Sequence, residues 1–201
     1  MPLDTPLGYA RGATIPDMTT HTTSSPLGAL VRRWPSVVGL LAAVVLFLTG
    51  MDRASVAVAV AAAATCYLAA AAFASPWMAW AWIPMSVVVV AAGALAGVDP
   101  ITATAGSAAV LIVLGLLRGA ARPALTLELA GVLLYGGFAV GALLLAPTAG
   151  LVVVALTLVA HGIWDLWHLR RHRDLVSPSL AEACVALDVP LGLAVLVAAL
   201  V

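Results

Sequence analysis

The stretch Ala54-Ser-Val-Ala-Val-Ala-Val-Ala-Ala-Ala-Ala-Thr-Cys-Tyr-Leu-Ala-Ala-Ala-Ala-Phe-Ala74 contains no charged side chain. An apolar helix needs about 20 residues to cross the hydrocarbon core of a bilayer, so this run is long enough to span one. The same pattern recurs on both sides of it, at 35–51, 79–97, 101–117, 124–146, 149–168 and 180–201. Ser75-Pro76, Asp99-Pro100, Arg122-Pro123 and Pro147 separate the runs with ordinary turn chemistry. Only Met51-Asp52-Arg53 divides the first two. The chain therefore reads as an all-α, polytopic transmembrane helical bundle of about seven spans.

Composition points the same way. The chain is 64% hydrophobic and 9% charged, where a soluble domain averages about half and about a quarter. Too few polar side chains remain to clothe a water-facing surface. The formal net charge is zero, which argues against a nucleic-acid partner and leaves membrane lipid as the expected surrounding. Cys66 and Cys184 both fall in apolar runs, with no metal-type cysteine spacing, and read as small packing residues.

Residues 1–30 read as a flexible cytoplasmic tail and 31–201 as the transmembrane domain. The segment Thr19-Thr20-His21-Thr22-Thr23-Ser24-Ser25-Pro26 has no apolar period and too little apolar area to offset its ordering entropy. No basic segment precedes an apolar run at the start, so a signal peptide is not expected. Arg32-Arg33 reads as the positive flank of the first span.

With the N-terminus in the cytoplasm, Arg32, Arg33, Arg118, Arg122, Arg170, Arg171 and Arg173 all flank cytoplasmic ends and Arg53 lies opposite. This is the positive-inside asymmetry of a multi-pass protein, here assigned to the cell membrane with its C-terminus outside. Trp34, Trp77, Trp80, Trp82, Trp164 and Trp167 also gather at the cytoplasmic ends, either as interface anchors or as the walls of a cavity. Gly93/Gly97, Gly115/Gly119 and Gly137/Gly141 have GxxxG spacing. They read as close helix contacts within the bundle, with a homo-oligomer as the alternative.

Ionisable groups inside a bilayer are costly and tend to mark function. Here they are Glu128, His161, Asp165 and Asp188, with His168, His172 and Glu182 nearer the boundary. Relative to His161, Asp165 falls at about +40°, His168 at about −20° and His172 at about +20° around a helix, so all four share one face. By helical rise, His161 and Asp188 lie about 12 Å inward from the cytoplasmic ends of their spans and Glu128 about 9 Å. Three consecutive spans thus bring an imidazole or carboxylate to similar depth.

Two histidines with carboxylates form a ligand set for a divalent metal, zinc or iron. His161, Asp165 and His168 are the candidate ligands, and Asp165, Glu128 and Asp188 the candidate catalytic groups. A hydrogen-bonded network without a metal, or a proton or ion pathway, uses the same residues. Glu182, three residues after Ser179, fits a capping box at the start of the last span. Ser177 and Ser179 lack the GxSxG elbow of a serine hydrolase.

Seven spans with His168-x-x-x-His172 loosely resemble the membrane metal hydrolases of the alkaline ceramidase and adiponectin-receptor type. The resemblance is confined to that motif. The first half of the chain has no intramembrane His, Asp or Glu to supply the partner ligands of such enzymes, and the family is not adopted. Three functional readings follow from the residues. The leading one is a cytoplasm-facing buried His/Asp/Glu site in a metal-dependent enzyme acting on a lipid or other apolar small molecule. The others are a small proton- or ion-coupled transporter and a structural or accessory membrane subunit.

Overall fold

The computed structural model describes residues 28, 31, 33–50 and 52–201. The expected tail and the Met51 junction lie outside the described residues, apart from Gly28. Arg33–Val201 form one compact unit of seven helices: α1 (Trp34–Leu48), α2 (Arg53–Phe73), α3 (Met78–Leu95), α4 (Pro100–Leu117), α5 (Arg122–Leu143), α6 (Pro147–Arg171) and α7 (Pro178–Leu200). No strand occurs among the described residues. Helices α2 to α7 are 18 to 25 residues long and apolar enough to cross a membrane.

The helix limits follow from local chemistry. Proline stands in the first turn of α1, α4, α5, α6 and α7, where its missing N–H costs nothing. Asp52 caps α2 by accepting from the Ser55 amide at 2.8 Å, and Asp99 caps α4 by accepting from Thr102 at 2.9 Å. The Ser55 amide and hydroxyl hold the Asp52 carboxyl below the usual carboxylate range. The Thr102 hydroxyl and amide do the same for Asp99. Both caps are therefore in force above the ordinary carboxylate pKa and fade as acidification passes the lowered one.

The first helix is shorter than its run of apolar residues suggests. Its 15 residues rise about 22 Å, against about 30 Å for the hydrocarbon core. It stops at Leu48 because Gly50 adopts φ 72° just beyond it, a left-handed turn that glycine makes without strain, and Asp52 then starts α2.

Helix α2 is the hub. It packs against α3, α4, α5 and α6, and seven of its ten alanines from Ala57 to Ala72 are buried. Small side chains let several helices approach one backbone, which is how packing is gained in lipid. Helix α7 packs against α6 and α1. At one end, Trp34 stacks on Trp80 at 5.7 Å and the Trp80 indole donates to Ser179 at 3.1 Å, drawing α1, α3 and α7 together. At the opposite end, Arg53 donates to the Leu145 carbonyl, joining the start of α2 to the end of α5.

Two expectations are corrected here. Glu182 does not cap α7. The helix starts earlier, after Ser177, and Glu182 accepts from Ser36 of α1 and pairs with Arg33 at 3.3 Å. The GxxxG pairs hold only in part: Gly93 and Gly115 do sit at close contacts, where a Cβ would come 2.8 Å from Ala103 and 2.8 Å from Leu125, but their partners and the third pair do not. Gly97 and Gly119 have φ of 75° and 71° and end α3 and α4, while Gly137 and Gly141 have no neighbour within 4 Å of where a Cβ would lie. The close crossings are made by single glycines. A Cβ at Gly39 would overlap the Ala183 carbonyl, one at Gly150 the Ala142 carbonyl, and one at Gly192 would sit 2.8 Å from the Ala155 carbonyl.

Gly39→Ala should therefore force α1 off α7 and lower stability by about 1–3 kcal/mol, the usual cost of overpacking. Gly137→Ala, into open space, should stay within about 0.5 kcal/mol of wild type. Thermal unfolding of the two variants in one detergent measures the difference.

Candidate functional site

The polar residues of α5, α6 and α7 meet in the interior, with side chains from α2 closing over them. His161, Asp165, Asp188, His168 and Glu128 are each 2% exposed or less. They form two linked sets rather than one. In the deeper set, His161 Nδ1 meets Asp188 Oδ2 at 2.7 Å in a hydrogen bond, and Asp165 Oδ2 lies 3.4 Å from the same nitrogen. The second approach is an ion-pair distance without hydrogen-bond geometry, so neither Asp165 oxygen has a hydrogen-bond partner. His161, Asp165 and Asp188 each offer a ligand atom, and these atoms lie within 4.8 Å of one another.

The second set lies one to two turns nearer the arginine-rich helix ends. His168 Nε2 meets Glu128 Oε1 at 2.8 Å, and its Nδ1 faces the Trp164 carbonyl at 3.1 Å. A histidine with one ring nitrogen at its own helix carbonyl and the other at a carboxylate is held in a single orientation. Trp164 and Trp167 wall it in, with ring centroids at 5.0 and 4.9 Å. His172, just past the end of α6, packs its ring at a tilt against Trp167 with centroids 4.1 Å apart, and lies 5.5 Å from the His168 ring.

Helical spacing explains both sets. His161, Asp165 and His168 follow the i, i+4, i+7 pattern on α6 and point one way. Gly162 lets α7 approach so closely that a Cβ there would come 2.6 Å from Val189. That contact brings Asp188 beside His161. Glu128, on α5, reaches His168 instead. Of the three expected metal ligands, the structure groups His161 and Asp165 with Asp188, and turns His168 to Glu128.

Two residues with no motif of their own complete the site. Tyr67, on the alanine-rich α2, lies 6.1 Å from the His161 ring and 4.8 Å from the His168 ring, centroid to centroid, and so bridges the two sets. Its hydroxyl lies near Asp165, is buried, and makes no hydrogen bond. Tyr135 of α5 sets its ring edge-on to His161 at 5.0 Å and donates to the Ala160 carbonyl at 3.3 Å. Cys66 and Cys184 are free thiols packed in or against the cluster that contains Tyr67.

The charge balance is unusual. Buried carboxylates are normally paired with a cation or held protonated. Among the described residues the only arginine ion pair is Arg33 with Glu182, near the bundle end. His161 can balance one charge of the Asp165/Asp188 pair. His161 Nε2, both Asp165 oxygens and the Tyr67 hydroxyl remain without hydrogen-bond partners. Such a concentration of unpaired polar atoms in one dry place is rare, since nearly all buried polar groups are satisfied.

No protein-family model, curated protein or solved structure matches this chain. The site is therefore interpreted from its own geometry.

The two sets should respond oppositely to removal of an acid in metal-free protein. Glu128→Leu leaves His168 Nε2 unpaired and should cost about 1–3 kcal/mol. Asp165→Leu removes a carboxylate whose oxygens have no hydrogen-bond partner, and should leave stability unchanged or raise it. Thermal melts of chelator-treated variants check the sign of each change.

Proposed function

We propose that His161, Asp165 and Asp188 hold a divalent transition-metal ion, and that the protein is a cell-membrane enzyme using it to hydrolyse a lipid or other apolar molecule. The observation that carries this reading is the pair of unpartnered Asp165 oxygens beside Asp188 and His161. A divalent ion supplies the missing positive charge and satisfies these acceptors together. Zinc takes imidazole nitrogen and carboxylate oxygen at about 2.0–2.2 Å, so atoms bound to one ion lie at most about 4.4 Å apart. The 4.8 Å spread of the three ligand atoms needs to contract only slightly. One imidazole with two carboxylates suits zinc or iron.

A metal ion in such a site lowers the pKa of bound water and polarises a substrate oxygen. The surrounding residues support that chemistry. The Tyr67 hydroxyl is free to donate to an oxygen bound near Asp165. Trp164, Tyr135 and Tyr67 exclude bulk water. An apolar groove of about 350 Å³ runs between α5 and α6, lined by Leu134, Tyr135, Phe138, Val153, Leu156 and Thr157 among others. Tyr135 is both a wall of this groove and the ring against His161. An acyl chain lying in the groove would bring its polar end to Tyr135, one ring away from the ligand set.

The transporter reading is less well supported. Between His161 and the Arg53 end, the buried hydroxyls of Thr157, Thr104 and Ser107 each donate to a carbonyl of their own helix, so no chain of free polar groups continues across. An accessory subunit would have no use for unpaired buried carboxylate oxygens.

Protein purified without chelator should contain about one transition-metal ion per chain. His161→Ala and Asp165→Asn should lose it, because removing a ligand removes binding energy that also supports the fold. Glu128→Gln should retain it. Elemental analysis decides, and wild-type protein without stoichiometric metal would sink the metalloenzyme reading.

A further inference from the structure

A cleft of about 360 Å³ opens at the arginine-rich end of the bundle, between the last turn of α2, the first turns of α5 and the α6–α7 connection. Ala71, Ala124, Leu127, His172 and Asp174 are among its lining residues. Each of its three helical walls carries a polar residue one turn deeper. Ala71 precedes Tyr67 in depth on α2, Ala124 precedes Glu128 on α5, and His172, just past the end of α6, precedes His168. One turn rises about 5.4 Å. A further one to two turns along the same face of α6 come Asp165 and then His161.

We infer that this cleft is the uptake route for a divalent cation, with His172 and Asp174 capturing the ion at the mouth and the His168–Glu128 pair passing it inward to His161, Asp165 and Asp188. The inference rests on the metal site proposed above and adds how that site is filled. The ligand types support it. Imidazole and carboxylate occur together at all three levels: His172 with Asp174, His168 with Glu128, and His161 with Asp165 and Asp188. His168 lies about one turn inward of His172, and Asp165 and His161 follow about one and two turns beyond it, so the ligands succeed one another along a single line. The Tyr67 hydroxyl, buried and without a hydrogen-bond partner, lies between the middle and inner levels and can bridge the step.

The other openings lack this sequence of ligands. The groove between α5 and α6 is lined by apolar residues with Thr157 and Tyr135. The cleft at the opposite end holds Asp52 and Arg53, and the polar side chains between it and His161 are spent on their own helices. Arg118, Arg122, Arg170, Arg171 and Arg173 surround the arginine-rich end. Capture there depends on paired ligands rather than on a general negative field.

The test uses cobalt(II) as the probe, added to chelator-stripped full-length protein in detergent, with loading followed by its visible absorption. A double variant, His172→Ala with Asp174→Ala, alters residues at the rim of the cleft outside the inner ligand set. It should slow loading about tenfold, the change that about 1.4 kcal/mol lost at the capture step gives, and reach the wild-type final occupancy. Glu128→Gln should also slow loading while leaving the final spectrum unchanged. Phe138→Ala, in the apolar groove, should load at the wild-type rate. Wild-type loading rates in both the double variant and Glu128→Gln would overturn the uptake route while leaving the metal site intact. If cobalt fails to bind wild-type protein with a spectrum that requires Asp165, the metal site itself fails. The two failures are thus distinguishable.

Discussion

Holding Asp165 and Asp188 side by side in an apolar interior, with one histidine to balance them, is the constraint on which this bundle's centre depends. An isolated carboxylate taken out of water costs several kcal/mol even after relaxation. The fold accepts that cost at a place where it could have placed leucine. Around the site it spends tight packing: Gly162 presses α6 against α7, Gly192 presses α7 against the Ala155 carbonyl, and the alanines of α2 admit Tyr67 between two imidazoles. A membrane protein gains no net hydrophobic drive from bringing helices together, so these close contacts are what keep the polar atoms enclosed. Destabilised polar groups kept in place by surrounding structure are characteristic of functional sites.

The division of labour among helices follows. Helices α5, α6 and α7 supply the buried histidines and carboxylates, α2 closes the site, and α1, α3 and α4 add no ionisable side chain to it. Many large apolar side chains of these outer helices, such as Leu41, Val44, Val87, Val110 and Val113, are exposed, as lipid contact requires. Aromatic rings occupy the zone between the site and the arginine-rich end. That zone is where an indole can pack against apolar neighbours while its N–H finds a polar partner, as Trp80 does with Ser179 and Trp82 with Thr65.

Much of this was legible in the residues. Long uncharged runs separated by proline turns mark the helices, and the single face shared by His161, Asp165 and His168 marks the site. Depth reckoned from helical rise brought Asp188 to the level of His161, but it set Glu128 there as well, whereas Glu128 pairs with His168 one to two turns nearer the arginine-rich end. The pairing was not legible, because a depth estimate is good to about one turn and a helical wheel says nothing of which neighbour stands opposite. Spacing offered His161 and Asp165 together with His168 and a carboxylate from either Glu128 or Asp188; the structure sets Asp188 beside His161 and pairs Glu128 with His168. Tyr67 was hidden for another reason: α2 is buried on most of its circumference, so its sequence has no polar face against which a functional residue could stand out. The GxxxG spacing was right for Gly93 and Gly115, which sit at close contacts, and misled for Gly97 and Gly119, because a glycine near a helix end serves equally well as a left-handed cap. Glu182 fitted a capping box by spacing, but its helix begins two residues earlier, after Ser177, and its carboxylate reaches Ser36 instead.

X-ray absorption at the metal edge of the purified wild-type protein tests the central claim most directly. The account predicts an ion in a shell of light atoms alone, imidazole nitrogen and carboxylate oxygen at about 2.0–2.2 Å, with no sulfur near 2.3 Å from Cys66 or Cys184. It further predicts that Asp165→Asn abolishes or rearranges that shell. A sulfur-rich shell, or a spectrum unchanged by Asp165→Asn, would contradict it.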